Sequence, residues 1–368
     1  MRALFLAFAL LLIATPSFGQ PSPVVRPGFD GIFEAFQTHP LVGLGETHRR
    51  AQEIDFYTAL IRDPRFARDV GNVVVEFGGA AHQDIIDRYV AGEDVPYQEL
   101  RKVWTDTVGW IGVVPSMGYQ LFYYQVREVN LTLPPQDRIH VWLGEPPIDW
   151  SQIKTHADWV KVVRLRDSHA AELIERQILG HGKKALVIYG AGHFWPLMPG
   201  ELGKKLEDLD WGTNTLRARI DQGHPGALFT VRFYTGAGDR TCIEDFESRV
   251  SSAWAVPALV TPLSGSAMAD NLLRCNQAPP NGLTFPPGLS DVEKQQAATF
   301  WAQAETHFDA LLYVGPRAQL AFAPTLSDYF MDSDYFQEIA RHYFLQTGQK
   351  LDPPNRASYP MTPRFPNP

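Results

Sequence analysis

Cysteine is nearly missing from this chain: Cys242 and Cys275 are the only two in 368 residues, and nothing lies near them at metal-ligand spacing. A thiolate zinc site or iron–sulfur centre is thereby excluded. In an oxidising compartment the two would close one disulfide, and in a reducing one they would remain buried thiols. Cationic charge is also short, with 33 Lys and Arg against 41 Asp and Glu and a formal charge of −8. No basic stripe interrupts that balance, so nucleic acid is excluded as a partner. The chain has no Gly-x-Ser-x-Gly elbow, and Ser264 and Ser266 have no strand before them, so a serine nucleophile finds no support. His-Glu-x-x-His and Cys-x-x-Cys are absent as well, and no repeat recurs at a fixed period.

Long apolar runs are confined to the first residues, where Met1-Arg2 leads into an apolar stretch ending at Ala14, with small residues at Ser17 and Gly19. That pattern predicts a secretory signal cleaved after Gly19, since the run is shorter than the roughly 20 residues needed to span a bilayer. A soluble protein outside the cytoplasm, secreted or periplasmic, is the expectation. Its 45% hydrophobic and 20% charged residues are those of a globular chain. Residues 20–350 are expected to form one domain: a core over 37–236, an irregular insertion over 237–290, and a closing strand with helices over 291–350. The six prolines in 351–368 predict an extended peripheral tail.

What the chain does have is a repeated event. Leu41 to Gly45 is a short apolar run ending in Glu46-Thr47-His48, and Asn72 to Phe77 is a β-branched run that meets Glu76. Ile139 to Gly144 is followed by Glu145, and Ala185 to Tyr189 runs into Gly190-Ala191-Gly192-His193. Helical patterns separate these runs, as at Ile54, Tyr57, Leu60 and Ile61, so the fold class is α/β with a mainly parallel central sheet and an irregular C-terminal excursion. Parallel strands put their carboxyl ends on one edge, where such sheets carry their chemistry. Glu46, His48, Glu76 and His193 are therefore the candidate catalytic residues. If the strand continues through the tetrad, Glu46 and His48 point to the same side. Glu145, His82, Arg166, Asp167, His169 and Trp195 are the candidate binding residues around them.

Two chemistries suit crowded acids and imidazoles. A histidine can act as general base on water while carboxylates orient it and a second histidine supports an oxyanion. Alternatively, Glu46, His48, Glu76 and His193 can ligate a divalent metal that acidifies bound water. The glycines before His193 are not a dinucleotide fingerprint, because the third position is Trp195. Asn130-Leu131-Thr132 matches a glycosylation sequon. Aromatic residues Trp104, Trp110, Tyr119 and Trp195 are compatible with a wall around a small-molecule or peptide ligand.

Gly45-Glu46-Thr47-His48, Val75-Glu76-Phe77 leading into Gln83, Ile86, Tyr89 and Gly92, and Gly190-Ala191-Gly192-His193 resemble the superfamily that joins erythromycin esterases, ChaN-like haem-uptake proteins and the TraB and Tiki proteins. The resemblance covers about Leu41 to Pro196, with a weaker match at Phe308 to Gly315. It implies a parallel α/β sheet with Glu46, His48, Glu76 and His193 lining the site, and either hydrolysis or haem binding as the activity. One residue separates Glu46 from His48, as in the ChaN-like branch, whereas the esterases place two there. Arg166-Asp167 before a helix resembles an esterase element.

Overall fold

Each of the four apolar runs that end at an acid or an imidazole becomes a strand of one sheet. The computed structural model describes residues 22–109, 116–196, 214–251, 253–275 and 306–351. Eight strands lie in the order β1-β7-β8-β6-β2-β5-β3-β4, with β1 Val24–Pro27, β2 Leu41–Glu46, β3 Asn72–Gly79, β4 His140–Glu145, β5 Ala185–Gly190, β6 Leu228–Phe233, β7 Ala258–Thr261 and β8 Ala310–Tyr313. From β8 to β4 every neighbouring pair is parallel, while β7 pairs antiparallel with β8 and with β1. The α/β fold class and mainly parallel sheet read from the sequence are thus present.

The central strands are hydrophobic on both faces because helices cover both. One apolar cluster packs Val42, Leu44, Val73 and Val75 against helices Ala51–Arg62 and Met117–Leu131. A second, across the sheet, packs Val74, Val187 and Tyr189 against Ala170, Leu173 and Ile174 of helix Arg166–Gln177. Strand β4 ends the sheet, and Gln83 closes its outer edge. The Gln83 amide donates to Val141 O at 2.8 Å and accepts from Leu143 N at 2.9 Å, so a side chain takes the place of a ninth strand.

Several expectations change. Strand β1 lies before the core expected over 37–236, and the span read as an irregular insertion over 237–290 holds, in its described part, helix Arg240–Ser251, strand β7 and helix Ala267–Cys275. These strands have four residues each, beside Pro27, Pro257 and Pro262, too short for alternation to show. Cys242 and Cys275 are joined as a disulfide between the two helices. Asn130 is buried, its amide donating to Val90 O and Ile139 O, so the sequon marks a structural residue and not an exposed acceptor. Trp104 and Tyr119 are core residues with 0% and 1% exposure. The signal segment, Trp110, residues 291–305 of the expected closing region and the Pro-rich tail beyond Leu351 lie outside the described residues. Among the described residues no helix is long and apolar enough to cross a membrane.

Candidate active site

Parallel pairing sets Glu46 of β2 beside Gly190 of β5, with β3 and β4 next in line. The pairing of β3 with β4 shifts register between Val75 and Gly79, at the position of Glu76. Such irregularities re-aim side chains at sheet rims. Glu46, Glu76 and Glu145 are all buried.

The strand ends at Glu46, and a turn closed by Arg50 N donating to Thr47 O brings His48 back to it. The pair therefore meets through a turn rather than by strand alternation. His48 Nδ1 lies 2.9 Å from Glu46 Oε1, which also accepts the Tyr119 hydroxyl at 2.6 Å, while Oε2 accepts the Tyr57 hydroxyl at 3.3 Å. A carboxylate surrounded this way only accepts, so it favours the proton on Nδ1 and leaves Nε2 on the side of Glu76. That Nε2 is 3.8 Å from Glu76 Oε1.

His193 mirrors the arrangement. Its Nδ1 is 2.7 Å from Asp167 Oδ1, which also accepts Leu216 N, and its Nε2 is 3.4 Å from the same Glu76 Oε1. Gly190 N donates to the other Glu76 oxygen. A Cβ on Gly190 would stand 2.6 Å from His48 Nε2, so the strand passes this point only as glycine. Arg166 completes the set by donating to Glu76 Oε1 and, through Nε at 2.6 Å, to Glu145 Oε1.

Burial opposes charge throughout, and the neighbours decide the outcome. Burial disfavours the His193 imidazolium, but Asp167 and Glu76 override it and raise its pKa to about 10. Burial likewise opposes the His48 cation, and Glu76 with the Glu46 hydrogen bond turns the balance to a raised pKa. Glu76 is buried too, yet His48, His193 and Arg166 hold it well below the usual carboxylate range. Glu145 goes the other way: burial, with the Glu76 charge adding, raises it to about 7 against the pull of Arg166. Its Oε2 and the Tyr189 hydroxyl are buried without hydrogen-bond partners.

Of the sequence candidates, Glu46, His48, Glu76, Glu145, Arg166, Asp167 and His193 come together. His82 does not join them, since its Nε2 pairs with Asp106 at 3.0 Å. His169 shares the helix of Arg166, but burial lowers its pKa and its charged neighbours are Glu172 and Arg176. Trp195 packs against the apolar cluster on the helix Arg166–Gln177 side, and its carbonyl accepts from Thr215. As a metal set, Glu46, His48, Glu76 and His193 fit poorly: the Glu46 oxygens are taken by two tyrosines and His48, and Arg166 sits on Glu76. Among the described residues no group of three or more His, Cys, Asp or Glu is arranged to hold an ion. Sequence reasoning missed Tyr57 as a partner of Glu46, because it falls on an apolar helical stripe that reads as core. Tyr119 was visible only as an aromatic.

Fold and rim together define an α/β protein with two acid–imidazole pairs facing one carboxylate. No protein-family model matches the chain, and no curated protein matches it. Among solved structures it is similar to a Bacillus cereus protein from structural genomics at TM-score 0.39 and 11% identity, over 78% of this chain and 91% of that one. A succinoglycan biosynthesis protein gives 0.40 and 9%, over 57% and 69%. ChaN of Campylobacter jejuni, described for its cofacial haem binding, gives 0.36 and 13%, over 57% and 87%. Likeness this distant says nothing about the chemistry of the rim.

Proposed function

We propose that the protein is a hydrolase of ester or amide bonds working outside the cytoplasm. One observation carries the reading: two imidazoles are each tethered through Nδ1 to an acid and both turn Nε2 toward a single oxygen of Glu76. His48 is the general base, because its side chain is 35% exposed against 16% for His193 and can reach water. The His193 imidazolium and Arg166 supply positive charge for a developing oxyanion. Glu46 fixes the His48 tautomer, and Glu76 holds the two rings and Arg166 at one point. No metal enters this scheme. The Cys242–Cys275 bond and the expected leader both support an oxidising, extracytoplasmic setting.

The test is turnover of a panel of esters and amides against pH. Activity is expected to rise as His48 loses its proton, above the ordinary histidine range, and to fall as His193 deprotonates near 10. Turnover unaffected by His48→Ala would sink the reading.

Haem or another flat ligand is the second reading, favoured by a cleft of about 380 Å³ lined by Tyr89, Tyr97, Leu100, Met117, Leu121 and Tyr124. Its size falls in the range of ligand sites. A haem titration read in the Soret band checks it, with Tyr124→Ala expected to weaken the band. An unchanged spectrum on adding haem removes it.

A further inference from the structure

Arg49 carries the only positive φ outside glycine among the described residues, at +67°, one position after His48. That region is strained for a residue with a side chain and persists only where its surroundings enforce it. Here the surroundings are a distant segment, Leu320 to Leu326. Ala323 N donates to Arg49 O at 2.7 Å, Ala51 N donates to Ala321 O at 2.8 Å, and the Arg49 guanidinium donates to Thr325 Oγ1 at 2.9 Å. Phe322 bridges to Arg50 and Thr325 to Ser116, so the same segment grips the His48 turn and the start of the helix that carries Tyr119.

The left-handed turn has a direct consequence for the imidazole. Arg49 N donates to the Tyr119 hydroxyl at 3.3 Å, that hydroxyl donates to Glu46 Oε1 at 2.6 Å, and the same oxygen faces His48 Nδ1. A chain of hydrogen bonds thus leaves the backbone beside His48 and returns to its ring. We propose that Arg49, held in its left-handed conformation by Ala323 and Thr325, is the positioning residue that locks His48 in the Nδ1–H form with Nε2 toward Glu76. This rests on the acid–imidazole reading of the site, and it adds that a segment about 275 residues away in sequence completes it.

The test is side-chain 15N NMR of the full chain at a pH where His48 is neutral, with the His48 signal assigned by its loss in His48→Gln. The native protein is expected to show one Nδ1–H tautomer. Arg49→Gly, which relieves the strain but removes the guanidinium contact to Thr325, and Thr325→Val, which keeps the shape and removes the acceptor, are expected to give a mixture with Nε2–H. Circular dichroism establishes that the variants are folded, and Thr325→Val decides if Arg49→Gly is not. A single Nδ1–H tautomer retained in the folded variants overturns the proposal. A native protein lacking that tautomer overturns the acid–imidazole reading instead, so the two failures are distinct.

Discussion

The two halves of the site are built alike and behave differently. On one side Glu46 holds His48, on the other Asp167 holds His193, and both rings look at Glu76. The difference lies in what surrounds each pair. His193 is enclosed, and Asp167 and Glu76 drive it to a pKa of about 10, so it remains a cation at neutral pH. His48 is open to solvent on one side, and its pKa is also raised, with Arg166 opposing its charge. On the proposed reading, one template yields a fixed charge and a titrating base, as environment separates the duties of like groups.

The largest effect that would break this comparison is expected from Glu76→Gln, which removes the anion both rings share. Arg166 and His193 would be left without it in a buried place, at a cost of about 3–5 kcal/mol. Urea unfolding measures the loss, and NMR titration should show both imidazole pKa values falling. Next comes His48→Ala, expected to lower turnover by about 10²–10⁴-fold while thermal unfolding barely moves. Asp167→Asn should act on the other half alone. It is expected to lower the His193 pKa and move the alkaline limb of the rate profile to lower pH, leaving the His48 limb in place.

Stability should follow the same groups. His193 is raised in the folded state, so its contribution is complete below about 6.5 and is lost as pH climbs through about 10. Glu76 is depressed, so its contribution stands above its unfolded pKa and disappears only as pH falls well below the carboxylate range. Glu145 is raised to about 7, so it favours the fold below about 4.5 and loses that contribution as pH rises through 7. The smallest expected effect is that of Glu145→Gln, which should flatten the stability profile between pH 4.5 and 7 without shifting either histidine titration by much. Equal slopes in the native protein and the variant would remove Glu145 from the account.

Much of the frame was legible in the sequence. The parallel strands at Leu41, Asn72, Ile139 and Ala185 are largely continuous apolar runs, and each carries an acid or an imidazole at or just beyond its carboxyl end. Strands β1 and β7 were not legible, because four residues among prolines carry no period. His82 and His169 looked like members of the rim, since a histidine just past a strand or in the first turn of a helix gives no sign of which neighbour it will meet.

The sequence by itself settled the order of apolar runs and the acids and imidazoles at their ends, because burial on both faces of a parallel strand demands an unbroken hydrophobic stretch. Only the tertiary structure decided which acid holds which ring. Glu46 meets Tyr57, Tyr119 and His48, and Asp167 meets His193 across 26 residues, through strand order and helix packing that no local spacing encodes. The protonation states follow from those meetings, since burial and nearby charge are properties of the folded rim and not of any segment within it.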